Sequence, residues 1–291
     1  MASKYSYEIF EEVVKCGSFV SAAEKLNLSA SAVSHMIKNM EDEFGFALFR
    51  RNRAGAELTE NGRRISPYIH DLLTCEKHLL QEVSKINNHE TGTVSIGLFS
   101  SVASNWFVKI LSGFKEKYPD IDVVIYQGSY AKILRWLDQK EIDLAFTTDE
   151  LSKGLNFMPL RTDPLICVTS NEFIPENKFS ISVSDLKSNN LIINSECKLY
   201  DAQKFLAENK ISVGTYYDIM EHQTLFAMVR EGMGICVVPE LVAVATPSDV
   251  KKYPIVGDPS RIIGLTLSDT KFVSPAASLL IDEIKHFINT L

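Results

Sequence analysis

Apolar residues near the start of the chain recur at helical spacing. Phe10, Val13 and Val14 follow Tyr7 along one face, and the pattern stops at Cys16-Gly17, where a glycine suits the position just past a helix end. Ser18 can cap a second, short helix, "SFVSAAEKLN". Its Phe19, Ala22, Ala23 and Leu26 share a face on which the alanines let another helix come close. Leu28 is apolar in the turn that follows. Ser29 can cap a third helix with Val33, Ile37, Met40 and Phe44 as its buried stripe, while Ser31, Ala32, Ser34, His35 and Lys38 fall on the opposite face. From Leu28 onward no acid appears until Glu41. Phe44, Phe46, Leu48 and Phe49 then anchor a segment in which Arg50, Arg51 and Arg53 bracket a turn at Gly55, the pattern of a hairpin.

After Thr59, which can cap a further helix, Ile65, Ile69, Leu72, Leu79, Val83 and Ile86 fall on alternating steps of four and three, with Glu76 in the one slot lacking a hydrophobe. That spacing predicts a coiled-coil seam, with Pro67 bending its first turns; a single helix buried on its own domain is the other reading. The polar stretch "NNHETGT" around Gly92 marks a hinge. Beyond it, period-two and helical patterns alternate. Strands are expected at "VSIGL", "IDVVIYQ", "DLAFT", "PLICVTS", "LIINS", "YYDIM", "GICVVP" and "IIGLTLS". Helices are expected over 102 to 118, 130 to 139 and 275 to 290, and from about Tyr200 and His222. This is an α/β pattern of mostly parallel sheets.

With 291 residues, 45% of them apolar, the chain can bury cores for two or three domains. Its formal net charge of −7 argues against a surface coated in positive charge, so any contact with nucleic acid must be local. No stretch approaches eighteen uninterrupted apolar residues and no apolar signal region follows Met1, which predicts a soluble cytoplasmic protein with no membrane partner. The five cysteines (Cys16, Cys75, Cys167, Cys197 and Cys236) are scattered and form no C-x-x-C, which fits reduced thiols.

Two regions carry candidate chemistry. The acid-free, small-residue face after Ser29 suits a helix that enters the major groove, although an ordinary surface helix in a bundle would show the same pattern. Between residues 50 and 64, five arginines stand against Glu57 and Glu60, enough for a hairpin to grip phosphates or simply to form a solvated basic loop. Further on, predicted strands end in polar groups just before helices: Ser100-Ser101, Gln127-Gly128-Ser129, Thr147-Thr148, Ser195-Glu196 and Glu221-His222-Gln223. Any one of these reads as a helix cap; five together predict a pocket at the carboxyl ends of the strands, with hydroxyls that suit a small anion or carboxylate.

Other chemistries find no support. Gly232-x-Gly234 follows a helix and enters a strand, the reverse of a dinucleotide fingerprint. There is no P-loop, no Gly-x-Ser-x-Gly and no spaced metal pair among the six histidines, so neither enzyme activity, cofactor nor metal is expected.

The stretch "GSFVSAAEKLNLSASAVSHMIKNMEDEFGFALFRR" followed by "LTENG" closely resembles the N-terminal winged helix-turn-helix of LysR-type transcriptional regulators. A looser resemblance continues through "TGTVSIGL", "FKEKYPDIDVVI", "EIDLAF" and "VREGMGICVVPE". The resemblance implies a multidomain chain: an all-α winged helix-turn-helix over 1–60 (helix-turn-helix about 18–37), a linker and dimerisation helix over 61–91, and an α/β effector-binding domain over 92–291. That last domain would be two-lobed like a periplasmic binding protein, with lobe one at 93–161 and 267–291 and lobe two at 162–266. Promoter DNA would be met by Ser18, Ser29, Ala30, Ser31, Ala32, Ser34, His35, Lys38, Arg50, Arg51 and Arg53. The seam residues would pair protomers in a homodimer, and dimers would assemble into homotetramers. A small-molecule inducer would sit between the lobes, near Ser100, Ser101, Ser129, Thr148, Ser195 and His222.

Two departures bear on base preference. The family commonly has Gln where this chain has Ala30, and Arg where it has His35; Ala30 cannot make a bidentate contact to adenine, and His35 carries little charge at neutral pH. They leave room for a second reading, a solute-binding or small-molecule-handling protein whose N-terminal domain dimerises and no longer reads DNA.

Overall fold

The computed structural model describes residues 3–52, 55–87, 90–195, 197–213, 215–216, 219, 221–269 and 273–291. They form two compact units, Met1–Asn87 and Asn88–Leu291. In the first, helices α1 (Lys4–Cys16), α2 (Phe19–Lys25) and α3 (Ala30–Phe44) precede an antiparallel hairpin of β1 (Phe49–Asn52) and β2 (Gly55–Leu58), and the 27-residue helix α4 (Glu60–Ile86) follows. The expected caps form. Ser18, Ser29 and Thr59 each accept, through the side-chain oxygen, an N–H from three residues on, at Ser21, Ala32 and Gly62. Ile9, Phe10, Val13, Val33, Ile37 and Met40 make the centre of one core, closed by Leu48 and Phe49 from the hairpin.

Two glycines fix how the hairpin docks. Gly55 has φ of 136° and packs so closely on the turn after α1 that a Cβ there would collide with the Gly17 carbonyl oxygen; the neighbouring Ala56 N–H donates to that oxygen at 2.7 Å. A Cβ on Gly62 would strike the Leu48 carbonyl. The Thr59 hydroxyl completes the joint by donating to Ala47 O at 2.7 Å while accepting the Gly62 N–H at 2.9 Å. "LTENG" is therefore a joint between hairpin and long helix.

The predicted seam of α4 divides in two. Ile69 is buried in the unit's own core and Ile65 packs against it, whereas Leu72, Leu79, Val83 and Ile86 are 45 to 78% exposed. The first third of the seam is thus intramolecular, and the helix runs on through Pro67.

The second unit opens with β3 (Gly92–Leu98), α5 (Ser100–Val102), a π-helical turn π1 (Ala103–Phe107), α6 (Val108–Lys117), β4 (Ile121–Gln127), α7 (Tyr130–Asp138), β5 (Leu144–Thr148) and the long β6 (Phe157–Ser170). It continues through α8 (Val183–Ser188), β7 (Leu191–Ile193), a second π-helical turn π2 (Cys197–Asp201), α9 (Gln203–Glu208), β8 (Thr215–Tyr216), α10 (His222–Arg230) and β9 (Ile235–Pro239). Last come α11 (Glu240–Ala243), β10 (Val250–Pro254), β11 (Ser260–Leu267) and α12 (Pro275–Asn289). The strands run in the order β4-β3-β5-β11-β6-β9-β7-β8, with β10 also on β6.

β6 belongs to both lobes. Its first half pairs with β11, and its second half with β9 and β10. The expected mostly parallel sheet is half antiparallel: β3 with β4 and β5, and β7 with β8 and β9, are parallel, while every pairing of β6 and β11 is antiparallel. The chain enters lobe two along β6 and returns along β11, and a strand that returns beside its partner runs against it. β11 makes its pairs with β5 and the first half of β6.

Other differences are local. The helix expected over 102 to 118 is interrupted by π1, and the one expected from Tyr200 is π2 followed by α9. Of "YYDIM", Tyr217, Asp218 and Met220 lie outside the described residues. β10, "VKKYP", escapes prediction because only alternate positions are covered and its sequence reads as polar.

In lobe two, both faces of the sheet are buried. Leu165, Cys167, Ile193 and Val237 point into one core, and Ile166, Val168, Ile192 and Val238 into the other. The period of two along β6, β7 and β9 fills both. Lobe one is closed by α12, whose Leu280, Ile284 and Ile288 pack on the strands.

Candidate functional site

In the first unit, the exposed positions at the start of α3 are Ser29, Ala30, Ser31, His35 and Lys38, with Ala32 and Ser34 half-buried beside them. Ser18, at the start of α2, is also half-buried. The Ser29 hydroxyl bonds the Ser31 hydroxyl at 2.9 Å and accepts the Ala32 N–H at 3.1 Å, and His35 Nδ1 lies 3.3 Å from Asn39 Nδ2. The first turn holds no acid, which leaves the positive end of the helix uncancelled. The first acid of α3, Glu41, turns back: its Oε1 accepts the Leu48 and Phe49 N–H groups at 2.6 and 3.1 Å and so holds the hairpin against the helix.

Arg50 is exposed on β1, directly opposite Glu57. Arg51 follows on the same strand, and Arg53 lies outside the described residues. The basic hairpin and the acid-free helix start are thus held in one rigid piece.

The second unit places its predicted polar groups unevenly. The Ser129 hydroxyl accepts the Lys132 N–H as the cap of α7, and Thr148 Oγ1, fully buried, accepts the Leu151 N–H. Those two act as local caps. Ser100 is exposed and accepts from Gln127 Nε2 at 3.4 Å, and Ser195 is half-buried after β7. Ser101 is buried and faces a group that the sequence reading missed, the guanidinium of Arg261.

Arg261 is 2% exposed and gathers residues from both lobes. Its Nε and Nη2 donate to Asp163 Oδ2 at 2.9 and 2.7 Å, its Nη1 to the Tyr130 hydroxyl at 2.6 Å, and its Nη2 to the Ser101 hydroxyl at 3.3 Å. An ion pair at 3.2 Å joins Nη1 to Asp201 Oδ2, and the Tyr130 hydroxyl donates to Asp201 Oδ1 at 3.0 Å. Phe99 lies beneath the guanidinium, 5.1 Å from ring centroid to Cζ. Asp163 and Arg261 are register partners on β6 and β11, Ser101 and Tyr130 belong to lobe one, and Asp201 comes from π2 in lobe two. Other contacts between the lobes include the packing of Tyr200 on Tyr130, with ring centroids 5.5 Å apart, and a hydrogen bond from Asn105 Nδ2 to Leu241 O at 3.1 Å.

Burial opposes the charge of Arg261, but Tyr130, Asp201 and Asp163 outweigh it and hold the guanidinium protonated. Burial raises the carboxyl of Asp201. His222, whose Nε2 lies 3.1 Å from Asn194 Nδ2, is pushed down to about 4 by burial and by the nearby charge of Arg261, and is neutral at pH 7. Both π-helical turns supply residues to this junction, π1 with Asn105 and π2 with Asp201; such turns recur at functional sites. The missed residues did leave a signal. Arg261 heads an apolar run, and Asp163 precedes Pro164 at the start of another.

Residues 6–63 match the family described as bacterial regulatory helix-turn-helix protein, lysR family, and residues 87–288 match the LysR substrate binding domain. The chain belongs to the LysR family of transcriptional regulators. It is a DNA-binding regulator with an effector-binding domain, and its relatives are likewise transcriptional regulators. They include the uncharacterised HTH-type regulator YvbU of Bacillus subtilis, 28% identical over 96% of each chain. CzcR of Bacillus thuringiensis is 25% identical over 98% of this chain and 92% of its own.

Solved LysR-family structures share the fold. A full-length OxyR variant from Pseudomonas aeruginosa superposes with a TM-score of 0.75 at 18% identity over 98% of each chain. Full-length CbnR in complex with its target DNA gives 0.66 at 16% identity, over 98% of this chain and 99% of its own. Among the described residues of this LysR-family chain, no helix is long and apolar enough to cross a membrane, and no group of three His, Cys, Asp or Glu side chains is placed to hold a metal ion.

Proposed function

We propose that this chain controls transcription in the cytoplasm by reading promoter DNA with the start of α3 and the adjoining hairpin. The single observation that carries the reading is the pairing of an acid-free, capped helix start with a basic hairpin locked beside it by Glu41. Ser29, Ser31 and Ser34 supply hydroxyls for phosphates, Ala30 and Ala32 allow close approach to base edges, and Ser18 caps the supporting helix. Lys38, Arg50, Arg51 and Arg53 neutralise backbone charge. His35 and Ala30 replace the longer donors common in the family, so base preference shifts toward contacts with methyl groups and toward DNA shape.

Protomers pair through the exposed part of α4, formed by Leu72, Leu79, Val83 and Ile86, with Ile65 and Ile69 anchoring that helix to its own domain. Dimers assemble further into tetramers on an extended site. A small molecule in the cleft between the lobes then biases one arrangement over another, which requires unequal affinity for the two. Ser100, Ser101, Ser195 and His222 border that cleft, while Ser129 and Thr148 shape it by capping. The lobes follow the division at 93–161 with 267–291 against 162–266, with β11 lending Arg261 to their junction.

The test is recovery and sequencing of genomic fragments bound by the purified protein, followed by anisotropy titrations on an enriched fragment. Lys38→Glu is expected to weaken binding at least about tenfold, and Arg50→Ser to lower the salt slope by about one. Uniform retention of all fragments, with unchanged affinity in both variants, sinks the reading.

A further inference from the structure

The buried guanidinium of Arg261 is shared between two carboxylates whose situations differ. Asp163 is committed. It sits opposite Arg261 on the paired strand, its Oδ2 takes both Nε and Nη2, and its Oδ1 accepts the Leu241 N–H at 3.0 Å. Asp201 is held more lightly, from the five-residue π-helical turn π2. Among the described residues its carboxylate bonds only Tyr130, from lobe one, and Arg261, at the lobe junction, with one oxygen on the tyrosine hydroxyl and the other on Nη1.

One cation facing two anions in a site that excludes water leaves an excess negative charge, and burial already disfavours the charged form of Asp201. Arg261 cannot be left half-paired without a large penalty, but it gains nothing from which carboxylate pairs it. If a carboxylate from solution takes over Nη1 and the Tyr130 hydroxyl, the cradle stays satisfied while Asp201 regains its hydration. The two donors are spaced for the two oxygens of a planar carboxylate, and the guanidinium supplies the opposite charge.

We propose that Arg261, Tyr130 and Ser101 form the carboxylate-recognition subsite of the interlobe cleft, and that Asp201 is the chain's own stand-in, displaced when a small carboxylic-acid effector binds. This rests on the cleft being the effector site. Displacement of Asp201 also releases its hydrogen bond from Tyr130, which joins lobe two to lobe one beside the packing of Tyr200 on Tyr130 and the bond from Asn105 to Leu241. Binding is thereby coupled to the lobe geometry through the exchange itself.

The test uses the full chain with Asp201→Ala, which deletes the carboxylate, and with Asp201→Asn, which keeps its shape. Sodium acetate is the probe; sodium chloride and sodium sulfate at matched ionic strength are the controls. Acetate is expected to raise the melting temperature of Asp201→Ala saturably by several degrees above either control, and to change the wild type little. Adding Arg261→Met should abolish the gain. In calorimetric titrations, Asp201→Asn should bind acetate at least about tenfold more tightly than the wild type, because the competing carboxylate is gone. Acetate acting no better than chloride on both variants, or sulfate acting as well as acetate, overturns the proposal. The DNA affinity of Asp201→Ala separates the two readings: rescue by acetate with unaltered DNA binding keeps the carboxylate subsite and removes the cleft's part in regulation.

Discussion

At the residue scale, the informative positions are those where one side chain holds two elements together or carries a charge that burial opposes. Glu41 joins α3 to the hairpin, and Arg261 joins strands and lobes. His222 reports on the second unit through protons. Its ring is neutral in the folded chain down to about 4, whereas in the unfolded chain it titrates near its ordinary value of 6.5. Between those limits the unfolded state binds the proton and the folded state does not, so stability falls as pH drops from about 6.5 toward 4. The loss is on the order of 3 kcal/mol if nothing relaxes. Asp201, whose carboxyl is raised, acts in the opposite sense: its contribution is present at low pH and is lost as pH rises through its folded value. His222→Gln should therefore flatten the decline in denaturant midpoint over that window; an equal slope in the variant would assign it to other groups.

At the scale of elements, α4 is the clearest case of one pattern serving two purposes. Its early apolar positions complete the first unit's core, and its later ones, 45 to 78% exposed, have no cover within the described residues of that unit. On the proposed pairing a second copy supplies the cover, and a two-fold pair buries both copies of each leucine. The two copies of Leu79, each 61% exposed beforehand, then contribute together about 2 to 4 kcal/mol to association. Leu79→Glu is expected to leave the fold intact, since the side chain is 61% exposed, and to shift the protein to monomer in sedimentation velocity at micromolar concentration. A dimer that survives this change is held elsewhere.

At the scale of the whole molecule, the cores do not cross the boundary between units. Among the described residues one cluster lies entirely within 7–73, and the other three within 94–288. Residues 90–291 are therefore expected to fold alone, with a single cooperative thermal transition close to that of the same region in the full chain; failure to fold would show that α4 or the first unit completes it. The sequence by itself determined the parts governed by neighbours along the chain. Caps at Ser18, Ser29 and Thr59, the hairpin around Gly55, the heptad steps of α4 and the alternation of strands and helices beyond Gly92 all follow from spacing and local hydrogen bonding, and each lies within about one turn of its cause. The junction around Arg261 was only half legible, because Ser101 could be placed at a strand end but its partner could not. Tertiary structure alone decided that β6 serves both lobes, that half the pairings are antiparallel, and that Ile69 turns inward while Leu79 does not. It also brought Tyr130, Asp163, Asp201 and Arg261, up to 131 positions apart, into one buried network. Such a network has no period along the chain; only the pairing of β6 with β11 and the approach of the two lobes bring its members within hydrogen-bonding distance.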